Sequence, residues 1–305
     1  ISRFFREESI RYELKEEEAF PFFISSIESY FVSPSKLKKK LSRQRHSNWD
    51  EELKAIINDI EKVLDEEQVA KDRQLARFIK DWLVEHENGR IVIFCGDPEV
   101  ADDLYEFLSG IYLRRVERHF SGESPEFIED PTVRMLVCDQ SGEDGLNLHG
   151  GEKIIVHYGM PLKIERIEQR NGRLNRFCRL DSTKPIESIV LLPQREGLFR
   201  SWVELLDQGV GLFKNSVASL QYVLEEELND IWLEVYRSGH QNLEALSNKL
   251  SGDQGTIQKE LSRIKAQEQL YSIEEKVTSA KNMVANLRDI ELSMVRDFEV
   301  MSNWV

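Results

Sequence analysis

Residues 139–176 read DQSGEDGLNLHGGEKIIVHYGMPLKIERIEQRNGRLNR, and the fold turns on how this stretch is divided. KIIVH at 153–157 is an apolar run of strand length, preceded by a glycine-rich loop. Residues 164–176 then carry apolar and charged side chains at helical spacing. The last eight residues, QRNGRLNR, hold three arginines, with Arg170 and Arg173 on one helix face and Arg176 one turn further on. Guanidinium keeps its charge and offers a rigid fork of donors, which suits it to charge developing on a phosphate.

The same alternation extends on both sides. Leu75, Phe78, Ile79, Trp82 and Leu83 form an amphipathic pattern that stops at Asn88-Gly89, and IVIFC at 91–95 follows as a buried strand. A Gly96-Asp97-Pro98 loop leads to a helix bearing Val100, Leu104, Phe107 and Leu108. VRMLVC at 133–138 and ESIVLL at 187–192 are further strands. Repeated β-α-β units predict an α/β fold, a parallel sheet with helices on both faces, flanked by helical segments at either end.

Three regions are expected. Residues 1–71 form a helical segment, with Ile24, Ile27, Tyr30 and Phe31 as one apolar set, a break at Ser33-Pro34-Ser35, and Leu53, Ile56, Ile57, Ile60 and Leu64 as another. Residues 72–200 form the α/β lobe. Residues 201–305 form a helical extension, a hairpin or short coiled-coil-like element, with nine basic residues against fifteen acidic over 216–305.

The chain of 305 residues has a net charge of −14, which excludes a protein that coats nucleic acid with its whole surface. Basic character is local: six basic residues against two acidic between Lys163 and Arg179. Three scattered cysteines, Cys95, Cys138 and Cys178, provide neither a disulfide framework nor paired zinc spacing, and fit a reducing cytoplasm. The longest apolar runs are far too short to span a bilayer. The first residues, Ile-Ser-Arg-Phe-Phe, lack an initiator Met, so the chain is expected to be a piece of a longer polypeptide.

Each candidate motif has an ordinary structural reading. Gly-x-Asn-Leu is more often a tight turn than a ligand loop, and an arginine-rich face is more often simply solvated. What raises their weight is order: strand, glycine loop and arginine comb at strand ends where parallel sheets bind ligands.

With those residues in hand, 139–176 resembles motifs V and VI of superfamily-two helicases and translocases, in the Swi/Snf branch with its bacterial RapA-like members. SIESYFVSPSKLKKKL at 26–41 resembles the helical segment joining the two ATPase lobes of that branch, and KDRQLARFIKDWLVEHENGRIVIFC at 71–95 its entry into the second lobe. The resemblance covers about residues 20–195.

It implies a second RecA-like lobe of a nucleic-acid-dependent ATPase that tracks duplex DNA; from the bacterial look and divergence of the sequence, a role in phage defence or DNA modification rather than transcription recycling is expected. ATP and Mg2+ would be held mainly by a first lobe of the same polypeptide. Arg173 and Arg176 match arginine fingers; Gln169, Arg170, Gly145 and Asn147 match positions coupled to ATP. Ser141 and Gly142, through exposed backbone N–H groups, and Ser121 in Phe120-Ser121-Gly122 match strand-contact positions. A protein partner is expected on the carboxyl-terminal helices.

Departures from the family pattern are plain. Phe177-Cys178-Arg179 stands where Ile-Gly-Gln is usual after the second finger, and a usual long basic helix is reduced to the acidic SGESPEFIEDPT at 121–132. Glu143 and Asp144 place negative charge beside a phosphate-facing loop, repulsive unless a metal or arginine offsets it. No glycine is followed by lysine, so the chain has no Gly-x-x-x-x-Gly-Lys-Ser/Thr cradle. The acidic Asp65-Glu66-Glu67-Gln68 reads as a solvated helix face, because no apolar strand precedes it. The alternative to an ATPase half is a non-enzymatic lobe that docks a partner. His157 is expected to be a buried, hydrogen-bonded core residue, and Trp202, Trp232 and Trp304 to fill helix interfaces.

Overall fold

Four apolar runs and one short strand form a five-stranded sheet in which every pair is parallel. The computed structural model describes residues 16–43, 51–144, 146–148, 151–174, 187–194, 196–213, 217, 220–228, 230–252, 255–264 and 266. The strands are β1 (Arg90–Phe94), β2 (Val116–Arg118), β3 (Met135–Cys138), β4 (Lys153–His157) and β5 (Ser188–Val190), in the order β2-β3-β1-β4-β5. β1 is central, with Ile91 opposite both Met135 and Ile154.

Alternation along these strands separates two cores. Ile91, Ile93, Met135, Val137, Ile154 and Val156 face one way. There they meet Leu75, Ile79 and Trp82 of a preceding helix and Val100, Ala101, Leu104 and Leu108 of a following one. Val92, Phe94, Leu136, Cys138 and Ile155 face the other way, against Phe127, Leu146, Leu148 and Leu174. Burial on both faces is why these runs are apolar at every position instead of alternating with polar residues.

The helices are α1 (Glu16–Val32), α2 (Pro34–Arg43), α3 (Glu51–Glu85), α4 (Pro98–Tyr112), α5 (Glu126–Glu129), α6 (Ile164–Leu174), α7 (Leu198–Glu204), α8 (Gln221–Leu228), α9 (Ile231–Ser238) and α10 (Gln241–Leu250). α4 starts as its sequence dictates: Asp97 caps it by accepting from Val100 N at 3.2 Å, and Pro98 occupies the first turn. α3 is one continuous helix of 35 residues that runs through position 71 into the α/β lobe. α7 runs into a π-helical turn, Leu205–Val210, closed by the left-handed Gly211.

Charge fastens α2. Lys36 pairs with Asp97, Lys39 Nζ with Asp103 Oδ2 at 2.9 Å, and Arg43 Nη2 with Glu99 Oε1 at 3.3 Å, all on the first turns of α4 or its cap. Lys38 Nζ reaches Asp65 Oδ1 at 2.7 Å. α1 buries Phe23, Ile27 and Phe31. Phe23 meets the Tyr236 ring at 5.1 Å, Phe31 meets Phe199 at 5.2 Å, and Phe31 O accepts from Met160 N at 2.9 Å. The helix ahead of the sheet thus holds both the end of β4 and the helices that follow the sheet.

Two compact units divide the chain, Ile1–Ser247 and Asn248–Val305. The sheet and every site residue named below belong to the first. In the second, residues 256–264 are helical. Among the described residues no helix is long and apolar enough to cross a membrane.

The structure differs from several expectations. β2 is not among the strands expected from the sequence; three residues are too few to display a period. Between β1 and β3 lie α4, β2 and α5, so the acidic 121–132 stretch is the β2–β3 connection, and its helix is reduced to the four residues of α5, as expected. Asp65 and Glu66 are exposed as expected of a solvated face, whereas Glu67 and Gln68 are half-buried. Glu67 accepts from the Tyr30 hydroxyl at 3.1 Å, and Gln68 Nε2 lies 2.6 Å from the Tyr158 hydroxyl and 3.0 Å from Asp72.

Candidate functional site

The strand order reverses between β1 and β4, and in open parallel sheets ligands bind in the crevice at the carboxyl ends of the strands at such a point. Here that crevice is crossed by Arg170. Its Nη1 donates to Gly159 O, just beyond β4, at 2.5 Å. A Cβ placed on Gly96, just beyond β1, would lie 3.1 Å from its Nη2, and Gly96 itself takes the left-handed φ of 77°. The Phe94 ring lies 5.4 Å from the guanidinium. The two strand ends approach so closely that a Cβ on Gly159 would fall 2.0 Å from Cys95 O.

Glu143 gathers Arg170 and Arg173 of the comb together with Arg166, one turn earlier on α6. Its Oε1 accepts from Arg170 Nε at 2.8 Å and from Arg166 Nη2 at 2.9 Å, and its Oε2 from Arg166 Nε at 2.7 Å. Its backbone carbonyl accepts from Arg173 Nε at 2.6 Å. The three arginines recur at i, i+4 and i+7 on α6, so one helix face presents all of them to one residue of the loop after β3. Arg170 is 0% exposed and Glu143 3%. An isolated charge at that depth is costly, and each is tolerated because the other accompanies it. The negative charge of Glu143 is therefore offset by arginine.

The loop after β3 is a tight turn made by its own residues. Asp139 Oδ1 accepts from Ser141 N at 2.7 Å and Ser141 Oγ at 2.6 Å, and Oδ2 accepts from Arg118 Nη2 at 2.7 Å. Burial works to raise the Asp139 carboxyl, but the hydrogen bonds from Ser141 and Arg118 outweigh it and hold it below the usual carboxylate range. Arg118 is buried and also donates from Nε to Asp102 at 2.8 Å, which ties β2, β3 and α4 at their adjoining ends.

Ser141 and Gly142 therefore require a correction. Their backbone N–H groups were expected to be exposed to phosphate; instead that of Ser141 is taken by Asp139 Oδ1 and that of Gly142 by Asp139 O at 3.3 Å. Gly142 is buried, and a Cβ on it would lie 2.7 Å from Cys138 Cβ. Its glycine serves close approach to β3.

The remaining sites fall as follows. Gln169 is exposed on α6 and Arg173 half-buried; the Arg173 carbonyl accepts from Leu148 N at 3.3 Å, and beyond the Nε bond its side chain has no hydrogen-bond partner among the described residues. Asn147 is exposed. Ser121 is exposed after β2, beside Phe120, over whose ring Arg118 sits at 5.1 Å. Arg176 and Gly145 lie outside the described residues, as do Cys178 and Trp304. α6 and the loop after β3 thus bring Arg170, Arg173, Gly142 and Ser141 to one sheet edge, while Ser121 stands after the outermost strand, β2.

Two groups that sequence reasoning passed over stand nearby. Arg118 gave no signal because its strand is so short. Lys71 lies over the Tyr158 ring at 4.2 Å, and burial brings its ammonium down to about 8. The Tyr158 hydroxyl donates to Asp72 Oδ1 at 2.6 Å. His157 is buried as expected, yet it has no hydrogen-bond partner at either ring nitrogen among the described residues. Burial, then the neighbouring Arg170 charge, push its pKa well below the ordinary histidine value. Trp202 and Trp232 meet at 5.0 Å, at a helix interface.

For ATP and Mg2+ the fit is partial. Among the described residues no group of three or more His, Cys, Asp or Glu side chains is arranged to hold a metal ion. With no Gly-Lys loop in the sequence, the residue suited to a phosphate at this edge is Arg173.

No family model and no curated protein matches this chain. Among solved structures it is similar to the Hef helicase domain of Pyrococcus furiosus, at 21% identity and a TM-score of 0.37, over 55% of this chain and 37% of that one. It is also similar to the C-terminal part of the Fun30 ATPase domain, at 14% identity and a TM-score of 0.36, over 68% of this chain and 74% of that one. The chain thus spans little more than a third of the Hef structure. At these scores neither likeness assigns a role to any residue. The class defined by the coordinates themselves is an α/β domain with a five-stranded all-parallel sheet and a charged cluster at its switch point.

Proposed function

We propose that this chain is the carboxyl-terminal, helicase-like half of a nucleic-acid-dependent ATPase, a RecA-like lobe that presents arginine to a nucleotide held by a first lobe. The observation that carries the reading is Arg173. It stands on α6 at the ligand-binding edge of a parallel sheet, held by Nε to the Glu143 carbonyl, with its outer nitrogens unbonded among the described residues. A guanidinium fixed at one corner and open at the other can meet a developing phosphate charge without first reorganising.

Within this reading Arg173 and Arg176 are the fingers, Gln169 couples the nucleotide to the inter-lobe cleft, and Gly145 and Asn147 belong to the loop that links ATP with nucleic acid. Arg170 is a positioning residue: its donors are spent on Glu143 and Gly159, so it sets the pose of α6. Magnesium-bound ATP would supply the reacting phosphate from the first lobe. The favoured activity is duplex DNA translocation of Swi/Snf, RapA-like type, in phage defence or DNA modification. Strand contacts are to backbone, with the exposed Ser121 as the remaining candidate and no base reading expected.

The second reading, a non-enzymatic binding lobe, is favoured by one observation: Arg166 and Arg170 neutralise themselves on Glu143 instead of remaining open to ligand. The two part on ATP hydrolysis by this chain joined to a first RecA-like lobe, measured with duplex DNA, single-stranded DNA, RNA and no nucleic acid. Duplex-stimulated turnover supports the ATPase reading. Absence of stimulation by any nucleic acid sinks it.

A further inference from the structure

A groove of about 680 Å³ opens between α1, the start of α6, α8 and α9, away from the sheet edge that carries the arginines. Its floor includes Ile24, Leu162, Leu228 and Trp232, all only half-buried, so apolar surface is left without cover from the described residues around it. Its rim is acidic. Glu28, Glu165 and Glu225 stand around it with a single lysine, Lys163, among the lining residues. Glu168 also lines it but is committed to the fold, since its Oε1 accepts from Val217 N at 2.7 Å. Glu225 accepts only a long bond, 3.3 Å, from its own helix neighbour Gln221. Glu28 and Glu225 are exposed, and none of the three rim carboxylates forms an ion pair among the described residues.

An apolar trough between carboxylates matches one kind of occupant: a helix with aliphatic residues along one stripe and lysine or arginine on both flanks. A purely apolar peptide would leave the rim charges facing it without compensation, and an acidic one would be repelled. The groove's size is in the range of sites that enclose a few large side chains, so two turns of aliphatic anchors suffice to fill it.

We infer that this groove is a docking site for a basic amphipathic helix of a partner protein. The helix would seat leucine-like side chains against Trp232, Leu228 and Ile24 and set its cations against Glu28, Glu165 and Glu225. Because α1 and α9 also carry the contacts that join the amino-terminal helices to the helices after the sheet, an occupied groove would brace them together.

The test uses the 305-residue chain and a fluorescein-labelled 14-residue peptide of leucine and lysine at amphipathic helical spacing. Its counterparts carry glutamine or glutamate in place of every lysine. Fluorescence anisotropy is expected to show saturable one-to-one binding of the lysine peptide, weakened at least tenfold by Glu28→Lys/Glu225→Lys, by Glu165→Lys and, separately, by Trp232→Ala. Asp81→Lys/Glu85→Lys, a charge reversal of equal size on α3, should leave binding within twofold. The inference is overturned by no saturable binding, by equal binding of the glutamine or glutamate peptide, or by equal weakening in the α3 control, which would mark mere attraction to an acidic protein. Glu28→Gln/Glu225→Gln, a milder change to the rim, should weaken binding less than charge reversal does; no effect from either pair also overturns it.

Discussion

Glu143 Oε1 lies 2.8 Å from Arg170 Nε in the crevice between β1 and β4, and both side chains are buried. Removing one member of such a pair strands the other in a medium that cannot solvate it. Glu143→Leu should lower unfolding free energy by roughly 3–5 kcal/mol, read from urea titration. Arg170→Met should cost a similar amount, while Glu143→Leu/Arg170→Met together should cost far less than the sum. Additive losses would mean that the two charges are not coupled.

Gly159 permits the closest backbone approach at the same crevice. A methyl group there would meet Cys95 O at 2.0 Å and Val32 O at 3.2 Å, neither of them a flexible side chain. Gly159→Ala is expected to cost at least the roughly 1–3 kcal/mol typical of overpacking, seen as a lowered thermal midpoint. The shift should exceed that of Gly172→Ala, since nothing lies within 4 Å of a Cβ at Gly172.

His157 offers a pH test with a definite sign. Its folded pKa is held well below 6.5, first by burial and then by Arg170, whereas the unfolded chain protonates it near 6.5. Below that pH the unfolded state binds the extra proton, so this residue's contribution is complete above 6.5 and is lost as pH falls. His157→Phe should flatten the acid side of the stability–pH curve between pH 7 and 5. It should also relieve two ring nitrogens that lack partners among the described residues. An unchanged acid limb would contradict the burial of a neutral imidazole.

Binding of duplex DNA by this chain alone should be weak and should fall modestly as salt rises, because the net charge is −14 and the basic residues around α6 form only a short strip. Filter binding across 25–200 mM NaCl should give a shallow log–log slope, of few phosphate contacts. Tight binding that resists salt would contradict a local basic strip.

Much of the architecture could be read in the sequence because buried parallel strands leave unbroken apolar runs. IVIFC, VRMLVC and KIIVH announced β1, β3 and β4, and Asp97-Pro98 announced the start of α4. β2 was invisible: Val116, Glu117 and Arg118 are too few for a period, and the buried arginine among them is paid for by Asp102 and Asp139, far off in sequence. The arginine face of α6 was legible from its spacing, but its partner was not. Whether Arg170 points at a ligand or at Glu143 depends on a contact across 27 residues that no local pattern encodes. Gly142 misled for a related reason, since a glycine needed for close approach to Cys138 looks in sequence like a glycine needed to expose backbone.

The most direct test is the DNA-stimulated turnover of ATP by the chain joined to a first RecA-like lobe, compared between wild type and Arg173→Ala/Arg176→Ala at equal folded fraction. Loss of an arginine finger is predicted to lower kcat by about 10³–10⁵-fold while duplex binding changes little. Turnover in the double variant equal to that of wild type would contradict the account.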